Sequence, residues 1–328
     1  MDPILQRLND PDPCNRLTSL AREVAAGPLP TPSGEVNNHI HTIYSFSPYS
    51  PAAAAWMAAQ AGLKAAGIMD HDSLAGAEEM IEACKVLGIA STIGFELRVD
   101  CSLTRLNGRK INNPDSTSIA YVAIHGIPRS QIPAVARFLR PIQQARNRRN
   151  EAMTRALNKQ LPRMGLPLLD FDRDVYQQSQ AGTGGSITER HLLAALAQQM
   201  ITSHGRGEAL VTYLAKTLAI PLPQLIATAL KDQANTHYLY DVLGVLKSTF
   251  LPSFFIQPGP DECIPVRQVI EFARTIGAIP AYAYLGDVTA SPTGDKKAEH
   301  FEDEYLDLLF EEIVALGFRA VTYMPPRN

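Results

Sequence analysis

The chain has 328 residues, 45% hydrophobic and 19% charged, enough to bury a sizeable core in one large domain or two ordinary ones. A net charge of -3 and a pI near 6.2 give no basic excess. They argue against a nucleic-acid or anionic-membrane partner, so an anionic ligand must be held by a local cluster. The four cysteines, Cys14, Cys84, Cys101 and Cys263, form no CxxC pair. Neither a disulfide framework nor a thiolate zinc site is suggested, and a reducing cytoplasm fits best.

The first residues, MDPILQRLNDPDP, carry acids and prolines where a signal peptide has a basic start and an apolar run, so export is not expected. Residues 1–34 predict a short helical lead-in followed by an extended segment ending in PLPTPSG. Residues 35–131 alternate strand-like runs with helical patterns. These are EVNNHIHT, a helix from about Ala52 to Gly62, LKAAGIM, a helix over Ala77 to Leu87, IASTIGFEL and SIAYVAIHG. Such alternation predicts parallel βα units. The weakly polar stretch from Pro51 to Met69 is interrupted by Gln60 and Lys64, which favours a buried amphipathic helix over a membrane span. Residues 132–256 change to long helical patterns and predict a helical insertion. The βα rhythm resumes over residues 257–328 with PVRQVIEFARTIG, AIPAYAYLG, a helix near Glu302 to Leu316, and RAVTYM.

Four successive strand-like runs end in metal-capable side chains. His39 and His41 lie two apart, on one face of a strand. Asp70 and His71 follow AAGIM, Glu96 follows STIGF, and His125 ends SIAYVAI. Asp70 and His71 also fit a plain helix cap beside an exposed histidine. In a parallel barrel the C-terminal strand ends share one mouth, which predicts a metal centre there.

NNHIHTIYS, GIMDHDSLAG and IGFEL resemble the signature segments of the PHP (polymerase and histidinol phosphatase) family of metal-dependent phosphoesterases. The resemblance implies an α/β fold: a distorted PHP-type (β/α)7-like barrel with a helical insertion, here without its C-terminal closing segment. It makes His39, His41, His71 and Glu96 metal ligands, with Glu96 as a bridge, and Asp70 a ligand or an orienting residue. His125 joins them by face, two residues after the family's usual histidine position, which Ala123 occupies. The implied cofactors are divalent ions, Mn, Zn, Fe or Mg. Phe46 stands where the family has an aspartate, and AYAYLGD, with Tyr282 and Tyr284, stands where it has an AHP-like segment, with Asp287 nearby. These departures weigh against a standard three-metal centre. The βα rhythm also stops after RAVTYM, so weak or absent activity is expected from residues 1–328.

Arg146, Arg149 and Met153 fall at i, i+3 and i+7 on one helix stripe, which places guanidinium groups inward, where they need anions. Arg190 and His191 open another helix, with Ser186 or Thr188 as its cap. Substrate phosphate is the expected anion for Arg146, Arg149, Arg190 and His191, with surface or interdomain ion pairs of the arginines as the alternative. Lys296 and Lys297 read as a solvated loop or a mobile anion contact. The predicted function is hydrolysis of a small phosphate ester, a small nucleotide being the one nucleic-acid-type substrate expected, by a metal-activated hydroxide, with Asp70, His71, Arg190 and His191 as catalytic residues. The alternative is a metal- or phosphate-binding protein with little turnover.

Overall fold

The computed structural model describes residues 2–113, 116–286 and 302–322. Helices α1 (Pro3–Leu8) and α2 (Pro13–Ala26) begin alike. Asp2 and Asp12 each accept from a backbone N–H of the first turn, and proline follows at a position where no N–H is needed. A buried Arg16–Glu79 ion pair ties α2 to the domain behind it, and Glu79 also accepts from Ala52 N.

The strands are β1 (Val36–Ile40), β2 (Ala65–His71), β3 (Ala90–Asp100), β4 (Ile119–His125), β5 (Ile264–Pro265), β6 (Ile279–Ala283) and β7 (Ala320–Thr322). They form one curled sheet in the order β1-β2-β3-β4-β6-β7, with the short β5 beside β3. Helix α3 (Pro51–Gln60) connects β1 to β2, and α4 (Ala77–Leu87) connects β2 to β3. The residues from Ala65 to Met69 are buried throughout, as expected of a strand covered on both faces. The two connecting helices pack on the outer side of the sheet. Small side chains make that contact close: Ala52, Ala53, Ala55, Ala77 and Ala83 are buried in the main core.

Between β4 and β5 the chain forms α5 (Ile132–Asn158), α6 (Glu189–His204), α7 (Glu208–Thr212), α8 (Gln224–Lys231) and α9 (Tyr238–Thr249). Their apolar faces meet in a second core running from Met153 to Phe254, built around Leu157, Leu192, Leu196 and Leu246. The last two helices, α10 (Val266–Thr275) and α11 (Leu306–Leu316), pack against each other and lead into β6 and β7 respectively. No helix among the described residues is long and apolar enough to cross a membrane.

One strand departs from the all-parallel expectation. β4 runs antiparallel to both β3 and β6, whereas β1-β2, β2-β3 and β6-β7 are parallel. His71 is level with Glu96, and Glu96 is level with Ala123 and Ala281. The reversal moves His125 away from that row, opposite Ile279 at the start of β6. His125 therefore lies two residues deeper, roughly 7 Å from the row at ordinary strand rise. The inner face there is lined by Met69, Ala123 and Ala281, which form a small buried cluster. Gly94 belongs to the same floor. A Cβ at this position would stand 2.4 Å from Met69 Cε and 2.6 Å from Ile124 O, so only glycine fits.

Candidate metal and phosphate site

The bend after β1 sets the geometry. His39 lies on β1 and His41 immediately past its end, and the loop that follows is tied down by Asp70. Thr42 N and Ser45 Oγ donate to Asp70 Oδ1, and Thr42 Oγ1 donates to Oδ2, each at 2.6 Å. Asp70 is fully buried, and burial raises its pKa to about 6 even against these hydrogen bonds. Both of its oxygens are occupied and it lies outside the cavity lining. Its hydrogen bonds tie it to the loop that follows the two histidines. Ser45 Oγ, 3.4 Å from His41 Nδ1, carries that restraint to the imidazole.

Three imidazoles converge on one carboxylate oxygen. Glu96 Oε2 is 3.7 Å from His39 Nε2, 3.8 Å from His41 Nε2 and 3.2 Å from His71 Nδ1. The His41 and His71 rings stack with centroids 4.6 Å apart. The donor atoms of His39, His41 and Glu96 all lie within 4.8 Å of one another, as ligands of one ion do. Burial drives His41 down to about 4 and His71 well below the usual histidine range, the attraction of Glu96 notwithstanding. For Glu96, burial works upward, but His71, His39 and His41 outweigh it and bring the pKa to about 2. Burial thus favours neutral His41 and His71 beside an ionised Glu96, the protonation states a divalent ion requires. His71 Nδ1 is buried and makes no hydrogen bond, so this donor set fits a metal.

His125 is outside the group of donor atoms within 4.8 Å of one another; its Nε2 lies 3.4 Å from Thr322 Oγ1 on β7. Of the AYAY segment, Tyr282 turns into the core behind the sheet, where its hydroxyl donates to Glu302. Ala283 and Tyr284 line the cavity in its place. Asp287, Lys296 and Lys297 lie outside the described residues.

The metal-capable cluster opens into a cavity of about 780 Å³. One wall is apolar, with Phe46, Ile226, Leu243 and Val245. Phe46 holds a left-handed backbone conformation, φ 74°, at its expected ligand position, and its ring meets that of His191 edge-on at 4.8 Å. His191 packs on Phe46 and is not among the residues that line the cavity. Its Nδ1 accepts from Thr188 N at 3.0 Å as part of the α6 capping box, and burial lowers its pKa to about 4.

The inward arginine stripe is present, but its anions come from the protein. Arg149 Nε and Nη2 donate to the two oxygens of Glu262 at 2.6 and 2.9 Å. Arg149 is absent from the cavity lining. Arg146 borders the cavity, yet it pairs with Asp72 at 2.7 Å and Glu262 at 3.1 Å. Arg98 joins the cluster, 3.0 Å from both Glu262 and Glu189. Three buried arginines thus face three carboxylates of the protein, the ion-pair alternative to a phosphate anion. Arg190 differs: it is exposed, lines the cavity and makes no ion pair or hydrogen bond with the described residues. The sequence reading missed Arg98, Tyr121, Glu189 and Glu262. The alternation Glu96-Leu97-Arg98 did mark Arg98 as sharing the inner face.

Residues 37–212 match the PHP domain family. Among solved structures, a candidate metal-dependent phosphoesterase from Bifidobacterium adolescentis is similar at 19% identity and a TM-score of 0.54, over 88% of this chain and 77% of that one. An amidohydrolase from Chromobacterium violaceum, solved with sulfate and no metal, is similar at 15% identity and a TM-score of 0.52, over 87% of this chain and 75% of that one. No curated protein matches the chain in sequence.

Proposed function

The chain belongs to the PHP domain family, and from that premise we propose that it is a phosphoesterase that hydrolyses a small phosphate ester with a divalent ion held by His39, His41 and Glu96. The observation that carries the proposal is the convergence of three imidazoles on Glu96 Oε2 beside an unpaired arginine in one cavity. His71 completes the donor set from β2. When bound, the ion supplies Lewis acidity and a water acidified toward neutral pH.

The protein's own groups do the rest. Asp70 and Ser45 hold the His41 ring in its ligating orientation. Arg190 binds the non-bridging phosphate oxygens with its planar fork, while the buried arginines keep the cavity wall rigid and electrically balanced. The sulfate bound by the Chromobacterium violaceum protein supports this reading, since sulfate is a tetrahedral dianion like phosphate.

The test compares metal-stripped and Mn²⁺-loaded protein on a panel of phosphomonoesters. Turnover is expected only with the ion. Arg190→Ala should raise KM about 10- to 100-fold, the usual loss for a charge-assisted hydrogen bond, with metal content unchanged. Tight phosphate binding without turnover on any ester would instead make the protein a phosphate-binding member of the family.

A further inference from the structure

The reversal of β4 that displaces His125 brings another side chain to the mouth. Tyr121 pairs with Arg98 in the β3-β4 register, one inner-face position beyond the Glu96–Ala123 pair. It lines the same cavity as His39, His41 and Glu96, and its ring centroid lies 5.7 Å from that of His71. Its hydroxyl accepts from Arg98 Nε at 3.0 Å. Arg98 is itself fixed by Glu262 and Glu189, so the phenol is held from behind by a guanidinium that cannot swing away without breaking two ion pairs. The phenolic proton has no acceptor among the described residues. Tyr121 is half-buried, and a fixed donor unused by the protein is available to an oxygen that enters the cavity.

We infer that Tyr121 is a further catalytic residue, its O–H donating a hydrogen bond to the leaving-group oxygen as the ester bond breaks; the inference rests on the phosphoesterase reading above. The oxygen of a water attacks phosphorus, forming one P–O bond. The ester P–O bond breaks, and its electron pair goes to the alcohol oxygen. That oxygen takes up a proton from solvent while the attacking water releases one to solvent, giving alcohol and inorganic phosphate. Tyr121 keeps its proton throughout. A phenol is protonated at neutral pH, so it acts as a neutral donor. Arg98 is a positioning residue here: by donating to the phenol oxygen it aims the O–H and strengthens it as a donor. Placing a fixed donor where charge develops is worth about 10²- to 10³-fold in comparable oxyanion sites.

The experiment uses the Mn²⁺-loaded wild type and Tyr121→Phe, which keeps the ring and removes only the hydroxyl. Rates are measured on p-nitrophenyl phosphate, whose leaving group is already a stable anion, and on simple alkyl phosphates, whose leaving group is not. The expected result is a loss of about 100-fold on alkyl phosphates and of less than about tenfold on p-nitrophenyl phosphate, at unchanged metal content. The dependence of rate on leaving-group pKa should steepen in the variant. Equal losses on both substrates, or none, would overturn the inference while leaving the phosphoesterase reading intact. Absence of wild-type turnover on either substrate would overturn both.

Discussion

Replacing Glu262 with alanine is expected to be the most damaging single substitution for the fold, costing about 3–5 kcal/mol because it leaves buried arginines without their counter-charge. Glu262 is the hub of the ionic cluster: it receives Arg98 and Arg146 on Oε1 and Arg149 on both oxygens. Its side chain is 3% exposed, and those of the three arginines are 4%, 2% and 6% exposed, so water cannot take its place. The cluster joins β3 to α5, to the start of α6 and to the segment before β5, so its failure loosens the helices from the sheet. A melting-temperature drop on the order of 10 °C corresponds to that energy.

The pH dependence has a definite sign. Burial alone would raise the Glu262 pKa, but Arg146, Arg149 and Arg98 bring it from 4.5 to about 2. The unfolded state therefore binds more protons between these values, and stability rises with pH across that window. Glu262's contribution is complete above about pH 4.5 and is lost as the pH falls through 2. Denaturant unfolding of wild type and Glu262→Gln at pH 7 and near pH 3 isolates it, because other carboxylates titrate equally in both proteins. The stability gap should be wide at pH 7 and narrower at pH 3. Equal stability at pH 7 would show that the cluster contributes nothing net.

The metal-capable residues were legible because they sit in short local patterns. His39 and His41 are two apart, while His71 and Glu96 each end an apolar run, and parallel strands place such ends together without further information. The fate of the arginines was not legible. The inward stripe of Arg146 and Arg149 is plain in the helical period, but their partner Glu262 lies more than a hundred residues away in a loop with no periodicity. The position of His125 was less legible for a related reason. A strand's face can be read from alternation, but its direction in the sheet depends on the connection before it, and between β3 and β4 the described residues form a run of tight turns, Cys101–Thr104, Thr104–Asn107 and Leu106–Arg109, whose sequence does not by itself fix the direction of the next strand. Asp-His after a strand marks Asp70 as a ligand, a catalytic group or an orienting residue, without choosing among them. Only the three hydrogen bonds from Thr42 and Ser45 reveal it as the brace of the loop before it.

Glu96→Gln should abolish stoichiometric metal binding while leaving the fold in place, since the amide matches the carboxylate in size and removes only its charge. Glu96 Oε2 is the atom shared by the approaches of His39, His41 and His71, and the ionised carboxylate supplies the only negative charge in the described donor group. Loss of an outer-shell partner already costs about 10- to 100-fold in metal affinity, so loss of the charged ligand should cost at least about 100-fold. Two readouts need no substrate. Elemental analysis of protein prepared without chelator should find metal in the wild type and little in the variant. Added Mn²⁺ should raise the wild-type melting temperature, because an ion at 100 times its Kd contributes about 2.7 kcal/mol, and should leave the variant unmoved. His39→Ala should behave like Glu96→Gln. His125→Ala should keep its metal, because antiparallel β4 places that imidazole two residues below the ligand row. Retention of full metal content by Glu96→Gln, together with loss in His125→Ala, would move the centre one layer deeper into the barrel and reassign its ligands.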